Sequence, residues 1–498
     1  MSPREATRVE DLMVKSVSWM AGIKWFSQVL SWGTTLFIVR ILTPNDYGIF
    51  GLAAVYVGLV AMLMEFGLGS AIVNMRNLSA SQLAQINTVS LLMGLTCFAF
   101  SWCAAEPISR ILGSAKLQSV IIALSTTFII KALWTVPHSL LRKDMRFRSI
   151  AVFEGIEAVL LSICLIVLAM MGYAYWALVL AYVLSALVRT FLAVISRPCR
   201  FALPKFTQVK GILSFSRDII VARLSWYTYS KADIFIVGQT LGTAATGAYE
   251  LARTVARIPV EKITGLITTI LPPFLSSAQN EDLSLRKYMV KVTQGLSIIT
   301  FPLTIALFIF AEDIVILFFG ENWLIVITPL RVLAASSTLN SIEPLFSQMI
   351  VAKQETEFLM KINLFAAITM PICFWGASQW GTGGIAMVWL LINPVCQFPL
   401  YRKSLQRIEL PWSGYLRCLW PATNGVVFMG LVIFLLRKTM ADDVHSIPIL
   451  LIQSSAGGVT YVAVLLAFHR NVLRQFYDLI TRQRILHKRN TKLVIANS

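Results

Sequence analysis

The stretch Phe37-Ile-Val-Arg-Ile-Leu-Thr-Pro-Asn-Asp-Tyr-Gly-Ile-Phe-Gly-Leu-Ala53 has an echo about 200 residues downstream. There, Phe235-Ile236-Val237 leads through a link one residue longer to Gly247-Ala248-Tyr249-Glu250-Leu251-Ala252. Both copies lie between long apolar stretches. The echo continues: Pro137 and Pro344 each break a hydrophobic segment, and each is followed by a polar stretch, at 142–148 and at 353–358. Two apolar segments joined by a glycine turn come next, at Gly172 in one copy and Gly381 in the other. Ordered matches at a near-constant offset indicate an internal repeat. A duplicated membrane bundle is the usual architecture of secondary transporters, with the substrate site at the interface between the copies.

Composition agrees. Hydrophobic residues make up 57% of the chain and charged ones 14%, too apolar for a soluble globular protein. Apolar runs long enough to span a bilayer are read at 16–38, 47–70, 86–104, 118–137, 152–171, 174–195, 213–238, 247–272, 291–311, 324–348, 358–380, 383–401, 418–436 and 447–467. The expected fold is therefore an all-α polytopic membrane protein of about 14 transmembrane helices. The first apolar segment has no A-x-A site after it and reads as a permanent helix, not a cleaved signal.

The net charge of +18 does not point to nucleic acid, because its distribution follows topology. Lys and Arg crowd the links at 142–148, 197–210, 286–291 and 402–417 and the tail beyond Arg470, whereas 239–246 has no cation and 311–323 has only acids. This alternation is the positive-inside rule and puts both termini in the cytoplasm. The seven cysteines are odd in number and scattered, with no C-x-x-C, and read as small core residues.

Six spans per copy is an even number, so both copies start on the same side and are related by an axis along the membrane normal. The expected organisation is an N-lobe (1–195), a basic cytoplasmic linker (196–212), a C-lobe (213–405), two further helices (406–470) and a basic cytoplasmic tail (471–498). Prolines within spans are expected to kink helices that bend during alternating access.

Ionisable groups inside spans are costly and usually face a bundle interior or an aqueous cavity. Cations outnumber acids there, so a cavity with surplus positive charge is expected to attract an anion. Glu250, Arg253, Arg257 and Glu261 fall on one face of span 8. Lys24 heads a polar stripe in span 1, and Arg217 and Lys231 lie nearly in line on span 7, with Arg223 on another polar face. The candidate substrate-binding cations are Lys24, Arg217, Arg223, Lys231, Arg253, Arg257 and Arg331. Ion pairing is the competing reading for span 8, where Glu250 with Arg253 or Arg257, and Arg257 with Glu261, stand at pairing distance. Glu65, Asp218, Asp233 and Glu261 are candidate carriers of a coupling proton.

No Walker A, HExxH or G-x-S-x-G motif occurs, and the four histidines form no constellation. No enzymatic activity, metal or cofactor is expected.

The Phe37–Ala53 stretch followed by Glu65-Phe-Gly-Leu-Gly-Ser-Ala-Ile72, together with Leu141-Arg-Lys-Asp-Met-Arg-Phe147 and Phe319-Gly-Glu-Asn-Trp323, resembles the Wzx-type polysaccharide transporters, nearest the colanic-acid-type exopolysaccharide branch. The resemblance covers roughly residues 12–410. It implies the multidrug/oligosaccharidyl-lipid/polysaccharide exporter (MOP) fold, two six-helix lobes around a central cavity. It also implies a substrate: an undecaprenyl-pyrophosphate-linked oligosaccharide repeat unit, flipped across the bacterial inner membrane for exopolysaccharide biosynthesis. Membrane lipids are the other expected partner, with a polysaccharide polymerase and co-polymerase as further candidates. A cationic cavity suits pyrophosphate. The alternatives are a multidrug antiporter of the same superfamily, which the cation surplus opposes, and a polysaccharide polymerase, which the short outside links oppose.

Overall fold

The computed structural model describes residues 22–65, 68–74, 78–204, 206–277, 281–439, 446–472 and 474, and among them every regular element is helical. In hydrocarbon every backbone polar group must be satisfied within its own segment, which leaves helices as the outcome for a chain this apolar without barrel alternation. The helices run α1 (22–39), α2 (Pro44–Glu65), α3 (Leu68–Asn74), α4 (Ala80–Ile111), α5 (Lys116–Lys143), α6 (Phe147–Met170), α7 (Tyr175–Ser196) and α8 (Phe206–Ser277). They continue with α9 (Asp282–Ile309), α10 (Ala311–Ile314), α11 (Ile327–Asn340), α12 (Glu343–Ala352), α13 (Thr356–Ala377), α14 (Gly381–Met387), α15 (Asn393–Gln406), α16 (Trp412–Thr439) and α17 (Ile447–Phe468).

Among the described residues, ten ranges are long and apolar enough to cross a membrane, so the chain is a multi-pass membrane protein. The expected spans 358–380 and 383–401 share one 51-residue range, Thr356–Gln406. Span 16–38 lies partly outside the described residues. Spans 213–238 and 247–272 fall within α8, part of whose side chains lie outside the described residues. The link expected between them at 239–246 holds the break: Gly242 (φ 85°, ψ −179°) leaves helical geometry and divides α8 into two helices.

The chain divides into two compact units: one of 1–251, 318–325 and 363–385, the other of 252–317, 326–362 and 386–498. In unit 1 the repeated stretch organises the packing. Pro44 opens α2 at the position where a missing N–H is harmless. Asp46 closes the turn by accepting from Thr43 N (3.0 Å) and Thr43 Oγ1 (2.7 Å). Gly48 then meets its counterpart in the other copy: a Cβ on Gly48 would strike the Thr243 carbonyl, and one on Gly247 the Pro44 carbonyl. Gly51 likewise lies against its counterpart Glu250. Equivalent positions touching each other is what a two-fold relation between copies produces. Trp323, fully buried, donates from Nε1 to the Val39 carbonyl (2.7 Å) and packs edge-on against Tyr47. The Phe319–Trp323 motif is thus tied to the first copy of the repeat.

The second echo is equally concrete. After α5, Met145 takes φ 54°, with Met145 N bonded to Arg142 O and Arg146 N to Leu141 O. After α12, Gln354 takes φ 60°, with Gln354 N bonded to Val351 O and Glu355 N to Ile350 O. Gly172 and Gly381 follow with φ 82° and 70°. In unit 2 the core gathers α9, α12 and α15 around Leu296, Phe346, Ile350 and Leu400. Pro344 and Pro394 do not kink a helix: both stand in the first turn of one, α12 and α15.

Candidate functional site

Arg253 and Arg257, one turn apart on α8, open onto a recess of unit 2 lined also by Ser336, Ser337 and Asn340 of α11 and by Trp389. The recess has about 30 Å³ of space, enough for a water or two. Arg253 is 4% exposed, and its guanidinium carbon lies 5.6 Å from the centre of the Trp389 ring, a cation–π contact that strengthens when desolvated. Trp389 belongs to a π-helical turn, Val388–Ile392, and such turns widen a helix locally and re-aim its side chains. Arg257 is more exposed and has Glu261 Oε1 3.8 Å away, the i,i+4 pair expected from the sequence.

A polar chain leads away from the recess. Asn393 Nδ2 donates to the Asn340 carbonyl oxygen Oδ1 (3.3 Å) and to Glu343 Oε2 (3.2 Å). Asn393 Oδ1 is itself buried and has no hydrogen-bond partner among the described residues. The chemistry on offer is therefore two guanidinium forks for an oxyanion, hydroxyls and amides for hydroxyl groups, and an indole face.

The remaining sequence candidates are dispersed. Lys231 lies 3.7 Å from Glu250 in unit 1. Glu250 thus meets Lys231 across the break at Gly242. Asp233, fully buried, accepts from the Tyr249 hydroxyl (3.1 Å) and from Ile234 N (2.9 Å). Arg331 is paired with Glu312 at 2.7 Å, at the acidic link. Lys24 is exposed on α1. The side chains of Glu65, Arg217, Asp218 and Arg223 lie outside the described residues. Sequence reasoning passed over Trp389, Asn340 and Asn393. The signal for Asn340 was the run Ser336-Ser-Thr-Leu-Asn340 inside an otherwise apolar span; Trp389 carried none.

The fold is that of a polytopic, all-helical membrane protein. The lipid II flippase MurJ, in an inward closed conformation, superposes with a TM-score of 0.71 at 14% identity, covering 91% of this chain and 99% of that one. The chain belongs to the Polysaccharide biosynthesis protein family, which matches residues 37–328. Among its relatives are the lipopolysaccharide biosynthesis protein WzxC of Escherichia coli K12 and the succinoglycan biosynthesis transport protein ExoT of Rhizobium meliloti 1021. WzxC is 24% identical over 77% of this chain and 79% of its own length. ExoT is 24% identical over 94% and 95%.

Proposed function

We propose that this protein flips undecaprenyl-pyrophosphate-linked oligosaccharide repeat units across the bacterial inner membrane by alternating access, for exopolysaccharide biosynthesis. The observation that carries the reading is the pair of arginines in the recess: Arg253 buried against Trp389, with Arg257 one turn away. Guanidinium forks gathered at one recess match the oxygens of a pyrophosphate in bidentate fashion. Asn340, Ser336 and Ser337 stand ready for sugar hydroxyls, and the indole for a sugar face. Family membership and the relative ExoT, a succinoglycan biosynthesis transport protein, support the same reading.

In this reading the recess is closed in the present conformation and widens to admit the head group, while the lipid tail stays in the bilayer. The lobes at 1–195 and 213–405, the linker 196–212, the helices of 406–470 and the tail 471–498 form the working organisation, with both termini cytoplasmic. A polymerase and co-polymerase are the proposed recipients of the product.

The test is binding of an undecaprenyl-pyrophosphate oligosaccharide to the purified protein. Arg253→Met and Arg257→Met are each expected to weaken binding by about 2–3 kcal/mol, thirtyfold or more. Binding of organic cations in place of the anionic lipid by the wild type would favour the antiporter and sink the proposal.

A further inference from the structure

We propose that the basic end of α15 is a binding site for an anionic phospholipid, with the lipid phosphate held by Arg402, Lys403 and Arg407. These three line a pocket of about 420 Å³ with Phe358, Phe398 and Gln406, a size usual for small-ligand sites. The pocket lies in unit 2, shares no lining residue with the arginine recess, and falls where the apolar range Thr356–Gln406 ends.

The charges there do not cancel. Lys403 and Arg407 both bond to Glu355. Burial pushes the Glu355 carboxyl up, but the bonds and charges of Lys403 and Arg407 outweigh that and hold it below the usual carboxylate range. Glu357 is taken up by Lys361 at 2.7 Å. Three cations against the one carboxylate of Glu355 leave a surplus of two positive charges. Arg402 stands exposed on the same turn and makes no ion pair among the described residues. Its planar fork matches phosphate oxygens in a bidentate fashion.

The walls mark the level of the membrane interface. Lys403 Nζ sits 3.9 Å from the centre of the Phe358 ring. Phe398 stacks on Trp412 with centroids 5.5 Å apart and planes 7° from parallel. Trp412, at the head of the next apolar range, is of the amphipathic type enriched in the head-group layer.

An apolar face leads from the cations into the span. Leu391, Val395 and Phe398 are 60%, 68% and 49% exposed, and with Arg402 they follow at i, i+4, i+7 and i+11, along one side of a helix. An acyl chain laid on Leu391 and Val395 brings its phosphate to Arg402. A soluble phosphate would use the cations and leave the apolar face idle, so the geometry favours the lipid.

The experiment is native mass spectrometry of the detergent-purified full-length protein, titrated with phosphatidylglycerol, with phosphatidylcholine, and with phosphatidylglycerol in the presence of inorganic phosphate. Phosphatidylglycerol is expected to bind about tenfold more tightly than phosphatidylcholine, and Arg402→Glu to remove about tenfold of that affinity. Lys438→Glu makes the same charge change at the exposed end of α16 and is expected to leave it intact. Should Arg402→Glu fold poorly, Arg402→Gln and Phe398→Ala carry the same expectation of weakened phosphatidylglycerol binding. An unchanged affinity in the folded Arg402 variants overturns the site. Equal loss in Lys438→Glu reduces it to net charge and also overturns it. Displacement of the lipid by inorganic phosphate overturns the choice of a lipid ligand.

Discussion

Adding one methyl group at Gly48 or Gly247 should pry open the seam where the two copies of the repeat meet. An ideal Cβ on Gly247 overlaps the Pro44 carbonyl and lies 2.7 Å from Gly48 N; one on Gly48 overlaps the Thr243 carbonyl and lies 3.0 Å from Gly247 N. Ordinary van der Waals contact is 3.4–4 Å. The obstacles are backbone atoms, which cannot swing aside as a side-chain tip can. The helices must therefore separate by about an ångström, which strains the nearby Thr243–Asn45 hydrogen bond and loses dispersion along the seam. Overpacking of this kind costs about 1–3 kcal/mol for each substitution. One separation relieves both clashes, so Gly48→Ala with Gly247→Ala should cost less than the sum, by about 0.5–3 kcal/mol. The assay is denaturant-induced unfolding in detergent, with Gly458→Ala as control, since a Cβ there meets nothing within 4 Å. Wild-type midpoints for both single variants, or strict additivity in the double variant, would refute the reasoning.

Trp323→Phe keeps most of the apolar contact but strands the Val39 carbonyl that Nε1 now satisfies at 2.7 Å; a loss of about 1–3 kcal/mol is expected in the same unfolding assay. Glu355 has a depressed folded-state pKa, so the stability it supplies is full above the ordinary value of 4.5 and fades as the pH falls below it. Glu355→Gln should lower stability by about 1 kcal/mol at neutral pH and remove that part of the acid-induced fall, read from melting temperatures across an acid titration. Trp389→Leu removes the ring facing Arg253 and should weaken binding of the lipid-linked oligosaccharide by about 1–2 kcal/mol, measured by titration with the purified protein.

Much of the fold was legible because it rests on local signals. The duplicated Phe-Ile-Val and Gly-x-x-x-Leu-Ala pattern reports a seam where a side chain cannot fit. The polar stretches after Pro137 and Pro344 report two turns that share a left-handed residue, Met145 and Gln354. The link read at 239–246 was legible too: Gly242 there leaves helical geometry and divides α8 into two helices. Of the site, the sequence brought out the face bearing Arg253 and Arg257, because helical period alone aligns them. It could not pair Lys231 with Glu250, which depends on the angle of the kink. Nor could it bring Trp389 to Arg253, which depends on a π turn and on contacts between distant segments. Glu343 was visible only as a charge inside a span; its link to Asn393 and Asn340 is a product of packing.

The most direct measurement is translocation of an undecaprenyl-pyrophosphate-linked oligosaccharide in proteoliposomes, with head-group exposure read by a membrane-impermeant enzyme. Wild-type protein should move the lipid well above the rate in protein-free vesicles, and folded Arg253→Lys and Arg257→Ala variants should be slower by about tenfold to a hundredfold. Wild-type protein that moves no more than empty vesicles would contradict the flippase reading, and variants that match the wild type would contradict the role of the arginine recess.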